Sequence, residues 1–151
     1  MGKEIERKFL LADDSWRSMV ETSTDIIQWY LSRRPDATIR VRIIGNCARL
    51  TVKGINHGSI RNEWEYEIPV EDALEMLAES DMADGSVLRK TRHVLTFKGR
   101  TWEIDEFHGS LEGLVIAEVE IETEKIVLDL PPFIDCEVTG DPSYYNSVLA
   151  Q

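Results

Sequence analysis

Residues 3–11 read KEIERKFLL. Glu4, Glu6 and Lys8 occupy alternate positions, with Ile5, Arg7 and Phe9 between them. Successive side chains of a strand point to opposite faces, so this spacing predicts a strand with one charged face. The same alternation recurs in Ile26–Arg33, Ala37–Gly45, Ala48–Gly54, Arg61–Pro69, Val87–Phe97, Arg100–Phe107 and Leu114–Thr123, which makes eight predicted strands with the first. Turn chemistry separates them: Arg34-Pro35-Asp36, Gly45-Asn46, Asn56-His57-Gly58 and Lys98-Gly99, the last being a tight hairpin connection.

Helical signals are few. Asp13-Asp14-Ser15 before Trp16 has the chemistry of an N-cap opening a short helix. Val70–Ser80 carries Val70, Ala73, Leu74, Leu77 and Ala78 on one helical face. Asp141-Pro142 predicts an N-cap followed by proline at the first helical position, opening a C-terminal helix to Ala150. Many short strands with little helix predict an antiparallel barrel or sandwich.

The chain has 151 residues, 42% hydrophobic and 30% charged, with a formal net charge of −11. That length fits one domain, 1–151, and the acidity argues against non-specific binding to nucleic acid or to an anionic membrane. The opening MGKEIERKFLL is too charged for a signal peptide, and no apolar run approaches the roughly 20 residues a spanning helix needs. These features predict a cytoplasmic protein. Cys47 and Cys136 lie far apart, outside any metal-type spacing, and are expected to be unpaired thiols.

The polar faces of the predicted strands are unusual because single signs of charge collect on them. Arg40 and Arg42 share a face, as do Lys90 and Arg92, and Lys53 ends another strand. Glu63, Glu65 and Glu67 form one acidic row, and Glu118, Glu120 and Glu122 a second. On a single strand such a row is ordinary for a solvated outer face. Like charges two residues apart repel, however, so a surface has no reason to collect whole rows sorted by sign. An interior with a basic and an acidic wall accounts for the sorting. Arginine and lysine bind phosphate oxygens, and carboxylates suit hard ions such as Mg²⁺ or Mn²⁺.

With this pattern in hand, Glu4-Ile5-Glu6-Arg7-Lys8 (E-x-E-x-K) resembles the opening signature of the CYTH superfamily, the triphosphate tunnel metalloenzymes, and its short bacterial members in particular. In order, TIRVRIIG (38–45) resembles the family's paired-arginine strand, LTVKG (50–54) its lysine strand, RNEWEYEIP (61–69) its glutamate strand and LRKTRH (88–93) its Lys-x-Arg strand. WEIDEFHG (102–109) and GLVIAEVEIE (113–122) resemble the last two, so the likeness runs from Lys3 to about Tyr145. His93 departs from the aromatic expected after the Lys-x-Arg pair and reads as a half-buried strand residue. His57 and His108 sit in predicted turns and are not expected to bind metal.

The resemblance implies a mainly β (α+β) fold: an eight-stranded antiparallel barrel forming a charged tunnel with a few short helices. It implies a metal-dependent phosphoanhydride hydrolase. The expected phosphate-binding residues are Lys8, Arg40, Arg42, Lys53, Lys90 and Arg92. The expected metal ligands are Glu4, Glu6, Glu118 and Glu120, with Asp105 as a weaker one because the register of its strand is ambiguous. Glu63 and Glu65 are expected to position the attacking water or a second metal, beside Lys8 in the catalytic group. The cofactor is expected to be Mg²⁺ or Mn²⁺. The expected substrate is tripolyphosphate, cleaved to phosphate and pyrophosphate. Adenylyl cyclase and thiamine triphosphatase are the alternatives within the superfamily, and a polyphosphate-binding sensor the alternative without catalysis. A base or ring would need a platform at the tunnel mouth. Trp29, Tyr30 and Trp64 could supply one, though packing is their expected role. No nucleic-acid or membrane partner is expected, and the oligomeric state stays open between monomer and homodimer.

Overall fold

A computed structural model of the chain describes residues 2–79 and 81–151. Its strands are β1 (Gly2–Leu11), β2 (Thr22–Arg34), β3 (Ala37–Ile44), β4 (Cys47–Lys53), β5 (Ile60–Ile68), β6 (Leu88–Phe97), β7 (Arg100–Phe107), β8 (Val115–Glu120) and β9 (Ile134–Glu137). They form one antiparallel sheet in the order β5-β4-β3-β2-β6-β7-β8-β1-β9. The sheet closes because β1 also pairs with β5, Gly2 opposite Glu63 and Ile5 opposite Ile60. The result is the expected eight-stranded barrel. Beyond Ile5 that edge of β1 is taken over by β9, with Phe9 opposite Glu137 and Leu11 opposite Ile134.

Strand registers agree with the alternation except where polarity hides them. β2 begins at Thr22 rather than Ile26, because Thr22–Asp25 pair with Val94–Thr91 of β6 although no apolar alternation marks them. β9 was not predicted: it has four residues, IDCE, too few to show a period. The β6–β7 hairpin turns at Lys98 and Gly99, both in the left-handed region with φ of 49° and 78°. This is the two-residue connection that matches strand twist.

Helices are short. The predicted helix at Trp16 is a 3₁₀ turn, Ser15–Met19, and Asp14 caps it with no side-chain hydrogen bond. Helix α1 spans Val70–Ala78 as predicted, Ser80 lying outside the described residues. The predicted C-terminal helix is corrected. Asp141 does accept a hydrogen bond from Ser143 N–H, but only Pro142–Tyr144 form a 3₁₀ turn. Tyr145 is extended (φ −70°, ψ 133°), and α2 is the single turn Asn146–Leu149. Among the described residues no helix is long and apolar enough to cross a membrane. Cys47 and Cys136 are exposed and unpaired.

Two apolar clusters lie outside the barrel wall and a third fills one end of its interior. Trp29, Val41 and Ala48 are covered by α1 through Ala73, Met76 and Leu77. Phe9, Leu95, Trp102, Ile104, Ala117 and Val119 are covered by Trp16, Leu128 and Phe133. A third cluster of Tyr30, Leu88, Phe107, Ile116 and Ala150 packs where the C-terminal segment meets the barrel. Most strands therefore turn an apolar face outward and a charged face into the barrel, while Tyr30, Leu88, Phe107 and Ile116, in phase with Gln28, Lys90, Asp105 and Glu118, fill one end of the interior.

Candidate active site

The barrel encloses a cavity of about 260 Å³ lined almost wholly by polar side chains. Strand alternation delivers them. β1 contributes Glu4, Glu6 and Lys8, β3 contributes Thr38, Arg40 and Arg42, and β4 contributes Lys53. β5 adds Arg61, Glu63 and Glu65; β6 adds Arg92; β7 adds Glu103; β8 adds Glu118 and Glu120. Of the residues expected from sequence, all reach this cavity except Lys90 and Asp105.

Those two are buried behind the lining. Lys90 Nζ donates to Asp105 Oδ2 at 2.6 Å and to Asn146 Oδ1 at 3.2 Å, and its side chain is wholly shielded from solvent. Asp105 also accepts from Arg92, Nε to Oδ1 at 2.8 Å and Nη2 to Oδ2 at 2.9 Å. Burial alone would push the Asp105 carboxyl up, but Lys90 and Arg92 outweigh it and hold it far below the carboxylate range. Burial pulls the Lys90 ammonium down against the attraction of Asp105. Both Asp105 oxygens are thus committed to cations. The geometry makes Asp105 an anchor for Arg92 rather than a free ligand, and Lys90 the counter-ion of that anchor.

Inside the cavity most cations are only loosely neutralised. Lys8 stands 3.8 Å from Glu118, Lys53 3.2 Å from Glu4, and Arg40 3.6 Å from Glu65. Thr51 relays the last pair, accepting from Arg40 Nη2 at 3.2 Å and donating to Glu65 at 2.8 Å. Arg40 Nε is buried and has no hydrogen-bond partner. An unpaired buried donor is costly, and an oxyanion would satisfy it. Arg42 is the most exposed to repulsion. Burial first, then Arg40 and Arg92, lower its guanidinium to about 9.

The carboxylates carry the opposite imbalance. Glu6 is pushed well above its usual range, first by burial and then by Glu118 and Glu4. Glu63 is raised by burial and by Glu4, and Glu103 by burial that Arg92 only partly offsets. Glu118 is held low by Lys8, Arg92 and Lys90 despite its burial. A crowded set of acids with three forced upward is relieved by a cation. Among the described residues no three of them already converge as a ready-made ligand cluster. Their chemistry nonetheless fits a hard divalent ion held partly through water.

Several lining residues were missed. Arg61 and Glu103 are in phase with residues that were named, so the same alternation could have found them. Thr139, Tyr145 and Asn146 arrive on the irregular C-terminal segment, where no period exists to read. Trp29 is fully buried under α1 and Trp64 is half-buried on β5, whereas Tyr30 does line the cavity. His93 lies outside the barrel, bonded to Ser23 and Glu106, and His108 meets Thr91. Glu67 and Glu122, which end the two acidic rows, are exposed and outside the cavity.

A closed antiparallel barrel whose interior is lined by opposed basic and acidic side chains is a charged tunnel. The chain belongs to the CYTH domain family, whose model matches residues 2–132. It is 44% identical over 151 residues to an inorganic triphosphatase of Acetivibrio thermocellus, covering all of this chain and 95% of that protein. It is 34% identical to an inorganic triphosphatase of Nitrosomonas europaea, covering 97% of this chain and 96% of that one. A crystal structure described as that of an inorganic triphosphatase superposes with a TM-score of 0.69 at 30% identity, covering 97% of both chains.

Proposed function

We infer that this chain is a metal-dependent inorganic triphosphatase, an enzyme that hydrolyses tripolyphosphate to phosphate and pyrophosphate. The observation that carries the reading is the cavity itself. Underpaired cations face crowded carboxylates across one small volume, an arrangement that costs stability unless a polyanion and a cation enter together. The full-length likeness to two proteins named for this activity supports the substrate class.

In this reading Arg40, Arg42, Lys53 and Arg92 bind the phosphate oxygens, and Lys8 takes a terminal phosphate. Arg40 Nε and the Arg42 guanidinium have the donors to spare. Arg61, with Nε on the Gly54 carbonyl and Nη2 on Thr38, adds charge without a carboxylate partner. Glu4, Glu6, Glu118 and Glu120 would hold Mg²⁺ or Mn²⁺, which neutralises phosphate charge and lowers the pKa of water when bound. Glu63 and Glu65 face the same volume and would orient the attacking water. Water adds to the terminal phosphorus, the bridging P–O bond breaks, and pyrophosphate leaves with the bond's electron pair. The reading extends to a cytoplasmic, single-domain enzyme with no nucleic-acid or membrane partner.

A substrate panel tests it. Purified protein is incubated with Mg²⁺ or Mn²⁺ and tripolyphosphate, ATP, thiamine triphosphate or pyrophosphate. Tripolyphosphate should be the best substrate, because the cavity walls are mainly ionic: of the two tyrosines that line them, Tyr30 is buried and the Tyr145 ring faces Lys8 Nζ at 5.8 Å. Cyclic AMP formed from ATP at higher efficiency would overturn the assignment in favour of the cyclase. Tight tripolyphosphate binding without turnover would favour the sensor.

A further inference from the structure

Most of the cationic side chains around the cavity are ion-paired, but Arg42 is held differently. Among the described residues its guanidinium has no carboxylate within 4.0 Å; its Nε and Nη2 both donate to Gln28 Oε1, at 3.0 and 2.9 Å. Gln28 is completely buried, and its Nε2 donates onward to Asn146 Oδ1 at 3.3 Å. The same Asn146 oxygen accepts from Lys90 Nζ at 3.2 Å. The orientation of both amides is forced. Guanidinium and ammonium groups have donors only, so the oxygens of Gln28 and Asn146 must face them. Gln28 can then reach Asn146 only through its NH₂.

A buried arginine is ordinarily steadied by a carboxylate, which would also cancel its charge. Here two neutral amides do the steadying. We propose that Gln28, held in turn by Asn146, is a positioning residue that fixes Arg42 without neutralising it, so that the positive charge of Arg42 remains available to substrate phosphate, whereas Lys90 on the same relay is already paired with Asp105. The proposal rests on the triphosphatase reading for its substrate, and on the hydrogen bonds above for its residues.

Glutamate at position 28 is the informative change. It keeps size and both acceptor contacts to Arg42, it adds a charge, and it gives up the 3.3 Å donation to Asn146. A merely structural role for Gln28 predicts that Gln28→Glu behaves like wild type, since an Arg–carboxylate pair is the stronger bond. The positioning role predicts a melting temperature equal to or above that of wild type, together with a KM for tripolyphosphate raised about tenfold or more and kcat changed less. Calorimetric titration of metal-free protein with tripolyphosphate should show the same loss of affinity. Asn146→Asp places the charge from the other end of the relay, at a half-buried position whose oxygen contacts an aspartate retains, and should weaken binding in the same direction. Wild-type KM and affinity in both variants would overturn the proposal. Should Gln28→Glu fail to fold, Asn146→Asp decides alone. Failure of the triphosphatase reading shows separately, as wild-type protein that neither binds nor cleaves tripolyphosphate.

Discussion

Glu106 and Glu118 sit on neighbouring antiparallel strands, and cations hold both carboxyls low, on opposite sides of the barrel wall. Glu118 faces the cavity, where Lys8 and Arg92 offset its burial. Glu106 faces outward, where Arg17 and then His93 hydrogen-bond it and lower it to about 2. Its folded value lies below the ordinary 4.5, so its contribution to stability is complete above 4.5 and is lost as pH falls toward about 2. Glu106→Gln should therefore melt below wild type at neutral pH, and the gap should close as pH is lowered from about 5 to 3. Melts of both proteins across that range check this; a gap independent of pH would show that the Arg17 and His93 contacts carry no linkage. Single residues also mark where sequence reading stops. Lys8, Arg40, Arg42 and Glu118 were legible because alternation fixes their face. The phase of Lys90 was legible too, but that of Asp105 was ambiguous, and nothing showed that their charges would be spent on each other. That depends on the β6–β7 register, which sets Arg92 opposite Asp105 and Lys90 opposite Phe107.

Among the elements, the barrel strands and the covering helix α1 were legible, and the irregular covering segments were not. Strand alternation survives in sequence because each face meets one kind of surroundings. The C-terminal segment has no such constraint. From Thr139 and Gly140, beside Gly58, it runs to Asn146 beside Gln28 and Lys90, and it ends with Ala150 buried. The β1–β5 seam and the β2–β6 pair lie on opposite sides of the eight-strand ring, so the segment straps across one end of the barrel. Gly85 anchors it. Gly85 has φ of +95°, and a Cβ there would sit 1.9 Å from the Ala150 carbonyl oxygen. The neighbouring Ser86 N–H donates to that same oxygen at 2.6 Å. Gly85→Ala should cost roughly 1–3 kcal/mol through backbone strain, and it should displace the strap as well. The expected result is a lowered melting temperature with weakened tripolyphosphate affinity, since Asn146 moves with the segment. An unchanged melt would mean that the strap shifts freely and does not order this wall of the cavity.

At the scale of the whole molecule, the barrel is built inside out relative to an ordinary one. Most of its apolar contacts lie outside, under α1, the Trp16 turn and the Leu128–Phe133 stretch, and its interior holds charge apart from one apolar cluster under the C-terminal segment. The sorted rows of charge announced this, since no solvated surface requires arginines on one strand and glutamates on another. Apart from α1, the outer cover did not announce itself, because Trp16 and Phe133 are isolated aromatics in irregular segments. Stability and function are therefore in tension: the covers must hold together a ring whose inner charges repel. The central claim is that the inner acids serve hydrolysis and are not a solvated face. Phosphate release from tripolyphosphate by wild type and by Glu118→Gln tests it most directly. The substitution keeps size and strand propensity and removes one buried charge. The account predicts rapid release by wild type and a rate lower by about 100-fold or more in the variant, partly restored by excess Mg²⁺. Equal rates in the two proteins would contradict it.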